Sequence, residues 1–128
     1  MENIKTILYI DDEPDLRMLA KLVLEMSGRY AVVESNSGRE ALQQLESLLP
    51  DLILLDVMMP EMDGLETLDH IKSMPRTRDV PVIFLTAKVN EEDIRLLRSR
   101  GAVDVLAKPF DPAALADQID EIWKEMHE

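Results

Sequence analysis

The feature that most constrains this chain is a run of four apolar residues, 52–55, between Asp51 and Asp56. Four consecutive apolar side chains predict a central β-strand that is buried on both faces, as in a parallel sheet. Pro60 and Gly64 predict a loop after it, because proline cannot donate to a sheet and glycine weakens a strand. Asp56 is therefore expected at the end of a rigid strand, as a nucleophile, a metal ligand or a helix N-cap.

Five β-type segments alternate with five helical patterns along the chain. The predicted strands are residues 4–10, 30–34, 51–56, 81–86 and 103–107. The helix starts are indicated by Pro14 in a first turn, a Ser37–Glu40 capping box, Asn90 as a cap, and Asp111 followed by Pro112. Such alternation with short connections predicts an α/β fold with a doubly wound parallel sheet and helices on both faces.

Length and charge restrict the class of protein. A chain of 128 residues without a linker suits one domain, which we expect to span residues 1–128. The net charge of −12 would repel nucleic-acid phosphates, which argues against direct DNA or RNA binding. The absence of cysteine excludes disulfides and thiolate metal sites. No signal peptide or membrane-spanning segment of ~20 apolar residues is recognisable, so we expect no membrane insertion and a cytoplasmic location.

Polar side chains stand where four of the five predicted strands end. Asp11 and Asp12 follow the first strand, Asp56 ends the third, Thr86 ends the fourth, and Lys108 follows the fifth. The carboxyl ends of parallel strands lie along one edge of a doubly wound sheet, and ligands bind at that edge. These groups are therefore predicted to meet in one shallow pocket.

The chemistry of this set indicates phosphoryl transfer. Clustered carboxylates repel one another unless a cation joins them, and an all-oxygen set suits Mg²⁺ or Mn²⁺, with positions left open for phosphate oxygens. Lys108 can neutralise one phosphate oxygen and Thr86 can hydrogen-bond another. Asp56 can then attack phosphorus and form an acyl phosphate.

Each of these residues also has an ordinary structural explanation. Asp12 or Glu13 could complement the dipole of the first helix, and Thr86 could be a β-branched strand residue. Lys108 could be a solvated surface lysine. Their coincidence on one edge of the sheet favours one functional site over separate explanations.

With these residues in place, the chain resembles the receiver domain of two-component response regulators, in the form of a chemotaxis-type single-domain regulator. The similarity covers essentially the whole chain and rests on Ile10-Asp11-Asp12-Glu13, Leu55-Asp56-Val57-Met58-Met59-Pro60, Met62-Asp63-Gly64, Leu85-Thr86-Ala87, Gly101-Ala102 and Lys108-Pro109-Phe110. The resemblance implies a flavodoxin-like (βα)5 fold with strand order 2-1-3-4-5. It also implies a phosphoacceptor that assists its own phosphorylation and dephosphorylation, rather than an enzyme.

The resemblance assigns roles to the acidic residues. Asp56 would be the phosphoryl acceptor. Mg²⁺, or Mn²⁺ in its place, would be held by Asp11 or Asp12, by Asp56 and by the backbone carbonyl of Met58. Of the first two, Asp12 would be the more direct ligand.

The resemblance also implies partners and an output. Lys108, with a cis bond to Pro109, would pair with the phosphoryl group, and Thr86 would move toward it. The donor would be a phosphohistidine on a sensor histidine kinase or a histidine phosphotransfer protein. A downstream protein would respond to the face formed by the fourth helix, fifth strand and fifth helix, and a dimer that forms on phosphorylation is left open. His70 and His127 fall on predicted helices and are expected at the surface.

One position departs from the family pattern. The family usually has an aromatic residue three positions before the lysine, coupled to the threonine, and this chain has Val105 there. Valine has no ring to swing between buried and exposed positions, so that coupling cannot operate in its usual form. Met58 and Lys88 occupy positions that tune phosphoryl lifetime in the family.

Two other classes of function share this fold or this chemistry. An interaction module that works without phosphorylation would be compatible with Val105. A Mg²⁺-dependent phosphatase with an aspartyl-phosphate intermediate would need a general acid two residues after its nucleophile, and Met58 cannot transfer a proton. Within the receiver class, a diffusible regulator, a relay intermediate and a fragment of a longer chain remain open.

Overall fold

One five-stranded sheet organises the computed structural model, which describes residues 5–127. In chain order the elements are β1 (Lys5–Ile10), α1 (Pro14–Met26), β2 (Tyr30–Ser35), α2 (Gly38–Gln44), β3 (Leu52–Asp56), α3 (Gly64–Ser73), β4 (Val82–Thr86), α4 (Glu91–Ser99), β5 (Asp104–Ala107) and α5 (Leu115–Met126). All neighbouring strands are parallel, and their order is β2-β1-β3-β4-β5. The predicted doubly wound α/β fold with strand order 2-1-3-4-5 is therefore confirmed.

The central strand β3 is buried on both faces, as its continuous apolar run predicts. Successive side chains of a strand point to opposite faces of the sheet. Leu52 and Leu54 accordingly lie in a core beneath α1 and α5, whereas Ile53 and Leu55 lie in a second core beneath α2, α3 and α4. The two cores hold Asp56, at the carboxyl end of the same strand, on a rigid support.

The carboxyl ends of the strands that bear polar groups coincide with the prediction, at Ile10, Asp56, Thr86 and Ala107. The amino ends of β3, β4 and β5 begin one residue later than predicted, and β2 extends one residue further, to Ser35. Such single-residue differences at strand termini do not move the site. Ile4, the predicted first residue of β1, lies outside the described residues.

The helix starts include two corrections. Ser37 accepts a hydrogen bond from the Glu40 amide at 3.0 Å, but the Glu40 carboxylate accepts from the Asn36 amide, so the predicted Ser37–Glu40 capping box is only half formed. The fifth helix begins at Leu115, not at the predicted Asp111–Pro112 start. The Asp111 carboxylate accepts from the Ala113 amide and closes a separate turn over residues 112–114.

A reciprocal capping box occurs instead at α3, where Asp63 and Glu66 exchange side-chain to backbone hydrogen bonds. The Asn90 cap of α4 is confirmed, since its side chain accepts from the Asp93 amide at 2.9 Å. These caps fix the helices that follow β3 and β4, and therefore the loops beside their carboxyl ends. Over residues 5–127, no helix has both the length and the apolar character needed to cross a membrane.

Candidate functional site

The carboxyl edge of the sheet brings the predicted site residues together. Lys108 Nζ lies 2.8 Å from Asp56 Oδ2 and 3.2 Å from Asp11 Oδ1. Asp56 and Thr86 end neighbouring strands, β3 and β4, and both line a cavity of about 600 Å³ that Lys108 also lines. Residues 97 positions apart in the sequence thus form one ionic cluster, because β1, β3, β4 and β5 are neighbours in the sheet and their carboxyl ends lie along one edge.

Asp11 is fully buried, and its position is set by several neighbours. Its carboxylate accepts hydrogen bonds from the Tyr9 hydroxyl at 3.2 Å and from the Glu13 amide at 3.0 Å. Its backbone carbonyl accepts from the Arg17 guanidinium at 2.6 Å. Burial, followed by the charge and hydrogen bond of Asp11, raises the pKa of the Tyr9 phenol, so this hydroxyl keeps its proton and remains a donor.

Replacing Tyr9 with phenylalanine tests this support. The variant keeps the buried ring and removes one donor to a buried carboxylate, so the free energy of unfolding is expected to fall by about 1 kcal/mol. Urea denaturation of both proteins at pH 7.5 measures the difference. Unchanged stability would show that the hydrogen bond from the Tyr9 hydroxyl to Asp11 does not stabilise the folded domain.

Asp56 is 1% exposed, and its Oδ1 accepts a hydrogen bond from the Met58 amide at 3.3 Å. Burial raises the pKa of this carboxyl to about 6. The hydrogen bond from Lys108 opposes the increase, and the charge of Asp11 adds to it. The carboxylate is thus mostly ionised at neutral pH, although its charged form is disfavoured by its surroundings. A neighbouring cation would relieve that cost.

Four acids offer ligand atoms to such a cation. One carboxylate oxygen from each of Asp11, Asp12, Glu13 and Asp56 lies within 4.8 Å of the other three. Asp11 and Asp56 are buried, whereas Asp12 and Glu13 are exposed. This all-oxygen set, beside the cavity that Glu13 and Asp56 line, fits a small hard cation that keeps part of its water shell.

Lys108 places a positively charged ammonium group among these carboxylates. Burial lowers the pKa of its ammonium group, but hydrogen bonds to Asp56 and Glu13, with the charge of Asp11, outweigh burial and hold the pKa above its usual value. Lys108 is therefore charged throughout the physiological range. The predicted cis peptide bond between Lys108 and Pro109 is confirmed.

Sequence reasoning did not give Glu13 a contact in the site. Its Oε1 lies 2.7 Å from Lys108 Nζ, the shortest of the three ion pairs that this lysine makes. The available signal was the run of three consecutive acids, Asp11-Asp12-Glu13, directly after a buried strand. The sequence favours equally a complement to the dipole of α1 and a metal ligand for Glu13, and neither interpretation predicts an ion pair with Lys108.

Of the remaining predicted residues, Thr86 and Met58 line the cavity, whereas Val105, His70 and His127 do not. The Thr86 hydroxyl accepts a hydrogen bond from the Lys88 amide at 3.1 Å. The Met58 side chain is 77% exposed and lines the cavity. Val105 is buried in the same core as Leu97 of α4, and as a valine it has no ring that could move beside Thr86. His70 and His127 are exposed, as predicted.

A doubly wound sheet of this order, with an acid cluster, a threonine and a lysine at its carboxyl edge, defines a receiver-type domain. The chain belongs to the response regulator receiver domain family, whose profile matches residues 7–120. Members of this family act in two-component signalling with histidine kinases and downstream targets, and they bind Mg²⁺ at an acidic pocket. The acid cluster at the edge of the sheet is compatible with such binding.

Individual relatives are similar to most of this chain. An uncharacterized 14.6 kDa protein in the sodA1 3′ region of Leptolyngbya boryana is 43% identical over 109 residues, which are 85% of this chain and 82% of that protein. The phosphate regulon transcriptional regulatory protein PhoB of Escherichia coli is 39% identical over 123 residues, 95% of this chain. These residues are 53% of PhoB, so the chain spans about half the length of that relative.

Solved structures agree as well. The chemotaxis response regulator CheY4 of Vibrio cholerae superimposes with a TM-score of 0.87 at 28% identity, over 94% of this chain and 99% of that chain. A response regulator from Chloroflexus aurantiacus superimposes with a TM-score of 0.84 at 35% identity, over 94% of this chain and 98% of that chain. The fold and the family are therefore shared across the length of the domain.

Proposed function

We propose that this domain is the phosphoacceptor switch of a two-component phosphorelay, with Asp56 as the acceptor. The observation that carries this proposal is the ionic cluster at the sheet edge. A buried carboxylate at the end of β3 is bonded to Lys108 at 2.8 Å and faces a cavity open to a donor. The other acids of the cluster supply a metal site beside it.

The proposed step moves a phosphoryl group from a phosphohistidine to Asp56. A carboxylate oxygen forms a bond to phosphorus while the phosphorus–nitrogen bond breaks, and the imidazole, protonated on its other nitrogen, leaves as neutral histidine. With a pKa of about 6, Asp56 is ionised at neutral pH and can act as the nucleophile. The Lys108 ammonium stays beside it and compensates the charge of the phosphoryl oxygens.

Asp12, Asp11, Asp56 and the backbone carbonyl of Met58 would hold Mg²⁺, and Mn²⁺ could replace it. The bound ion supplies charge neutralisation for the phosphoryl oxygens. Asp11 and Asp56 are buried and preorganised for this role, whereas Asp12 is exposed and can rotate toward the ion. The raised pKa of Asp56 supports the assignment, because a carboxylate that lacks sufficient counter-charge gains most from a cation.

The output is proposed to start at Thr86. A hydrogen bond donated by its hydroxyl to a phosphoryl oxygen would draw the Thr86 side chain toward the site and disturb the hydrogen bond that it accepts from the Lys88 amide. Lys88 lies two residues before Asn90, the cap of α4, so the loop and α4 would be the first elements to respond. The face formed by α4, β5 and α5 then changes its affinity for a downstream protein, without the aromatic side chain that Val105 replaces.

We infer a single receiver domain over residues 1–128, cytoplasmic, that receives its phosphoryl group from a sensor histidine kinase or a histidine phosphotransfer protein. Its net charge of −12 favours a protein target over direct nucleic-acid binding. The name of PhoB describes a transcriptional regulator, and we do not extend that role to this chain. The exposed Met58 thioether cannot act as a general acid, so we do not propose turnover of a phosphate ester.

The experiment that tests this proposal replaces Asp56 with asparagine. Wild type incubated with Mg²⁺ and acetyl phosphate is expected to gain the mass of one phosphoryl group, and Asp56→Asn is expected to gain none. Intact-protein mass spectrometry measures the uptake, and circular dichroism checks that the variant is folded. Uptake by a folded Asp56→Asn protein would assign the phosphoryl group to another residue.

A further inference from the structure

The Lys108 ammonium group is fully engaged before any phosphoryl group arrives. A lysine has three N–H donors. In this structure they face Asp11 Oδ1 at 3.2 Å, Asp56 Oδ2 at 2.8 Å and Glu13 Oε1 at 2.7 Å. A phosphoryl oxygen that bonds to Lys108 must therefore displace one of three carboxylates.

The three carboxylates differ in how easily they can leave. Asp11 is fully buried and is held by the Tyr9 hydroxyl and the Glu13 amide. Asp56 is buried and is the acceptor itself. The Glu13 side chain is 56% exposed, and it makes no capping hydrogen bond although Glu13 is the N-cap residue of α1. Glu13 is the partner that can be released at the smallest cost.

We propose that Glu13 is a positioning residue that holds Lys108 in the unphosphorylated domain and competes with the phosphoryl group for it. This inference rests on the proposed function of Asp56. The Glu13 carboxylate opposes phosphorylation in two ways, because its ion pair with Lys108 must break and its charge repels the incoming anion. Removal of that charge should therefore make the phosphorylated state easier to reach.

A metal-ligand role for Glu13 predicts the opposite sign. Glu13 offers an oxygen to the acid cluster, and loss of a ligand would weaken Mg²⁺ binding and slow phosphorylation. Measuring Mg²⁺ affinity separately, and measuring phosphorylation at saturating Mg²⁺, distinguishes the two roles. Glu13→Gln is the appropriate change, because it keeps the length of the side chain and removes only its charge.

The matched control is Asp15→Asn, which removes the charge of another exposed acid two residues further along, in the first turn of α1. Asp15 lines the same cavity but forms no ion pair with Lys108, so the comparison separates the Glu13–Lys108 contact from a general loss of negative charge. At saturating Mg²⁺, Glu13→Gln is expected to bind beryllium trifluoride, a noncovalent phosphoryl mimic, about fivefold more tightly than wild type by calorimetry. It is also expected to reach half-maximal phosphorylation at about one fifth of the acetyl phosphate concentration. Asp15→Asn should stay within about twofold of wild type in both measurements.

Three results would overturn the inference. If wild type takes up phosphate but Glu13→Gln binds the mimic no more tightly than wild type does, Glu13 does not compete for Lys108. The proposed function of Asp56 would still stand. A loss of Mg²⁺ affinity of about tenfold in Glu13→Gln would assign Glu13 to the metal site instead. A wild type that is not phosphorylated at all would overturn the proposed function, and this inference with it.

Discussion

Asp56→Asn is expected to be more stable than wild type by about 3 kcal/mol at pH 7.5 in buffer without divalent cations. The reason is the pKa of Asp56, which burial raises from an ordinary value near 3.8 to about 6. The buried charge of this carboxylate destabilises the folded protein, and the neutral amide of asparagine does not carry that charge. Asparagine still offers a carbonyl oxygen to Lys108.

The pH dependence of this difference follows from linkage. A carboxyl whose pKa is raised by folding favours the folded state most below its unfolded pKa, near 4, and loses that contribution as the pH rises through about 6. The advantage of Asp56→Asn should therefore be small at pH 4, grow between pH 4 and pH 6, and level off above pH 7. Saturating Mg²⁺ should reduce the difference, because it stabilises folded wild type by binding.

Urea denaturation of the two proteins between pH 4 and pH 8, with a chelator present, measures the prediction. In a thermal denaturation at pH 7.5, the same difference in stability would raise Tm by about 10 °C for a domain of this size. Asp15→Asn is the control, because Asp15 is exposed and its replacement should change stability by less than about 1 kcal/mol at every pH. A difference that does not vary with pH would show that burial does not penalise the Asp56 charge.

Gly64→Ala is expected to destabilise the domain by about 3 kcal/mol and to reduce phosphoryl uptake. A Cβ atom at Gly64 would lie 2.3 Å from the Asp56 carbonyl oxygen and 2.8 Å from Val57 Cα. Both are backbone atoms at the end of β3, so neither can rotate away. The Gly64 amide also donates to the Val57 carbonyl at 2.9 Å, which holds the start of α3 against the strand end.

Gly28→Ala provides a control with a different physical cause. Gly28 has a φ of +76°, but a Cβ there would meet nothing within 4 Å. Its replacement should cost only the strain of a left-handed backbone, about 1 kcal/mol, and should leave uptake by Asp56 intact. Equal losses in the two variants would show that the contact of Gly64 with the Asp56 backbone is not what constrains this position.

The fold was predictable because its main signals are local. Residues 52–55 are buried on both faces, as a continuous apolar run requires, and the carboxyl ends of four strands fall where polar residues interrupt the apolar segments. The start of α5 was not predictable in the same way. Asp111 followed by Pro112 is compatible both with a helix N-cap and with the separate turn that forms, and only tertiary packing distinguishes them.

The site was predictable as a set of strand ends, but its internal contacts were not. Asp11, Asp56, Thr86 and Lys108 could be placed on one edge from topology alone. The 2.7 Å contact between Glu13 and Lys108 depends on how a long side chain turns at the first residue outside a helix, and sequence spacing does not encode that rotamer.

Chemical trapping can locate the phosphoryl group on the chain and so show directly whether Asp56 is the acceptor. Wild type would be phosphorylated with Mg²⁺ and acetyl phosphate and treated with borohydride, which reduces an aspartyl phosphate to homoserine. Peptide mass spectrometry would then identify the altered residue. We expect homoserine at position 56, and at no other aspartate. An unaltered Asp56 in protein that carries a phosphoryl group would contradict it.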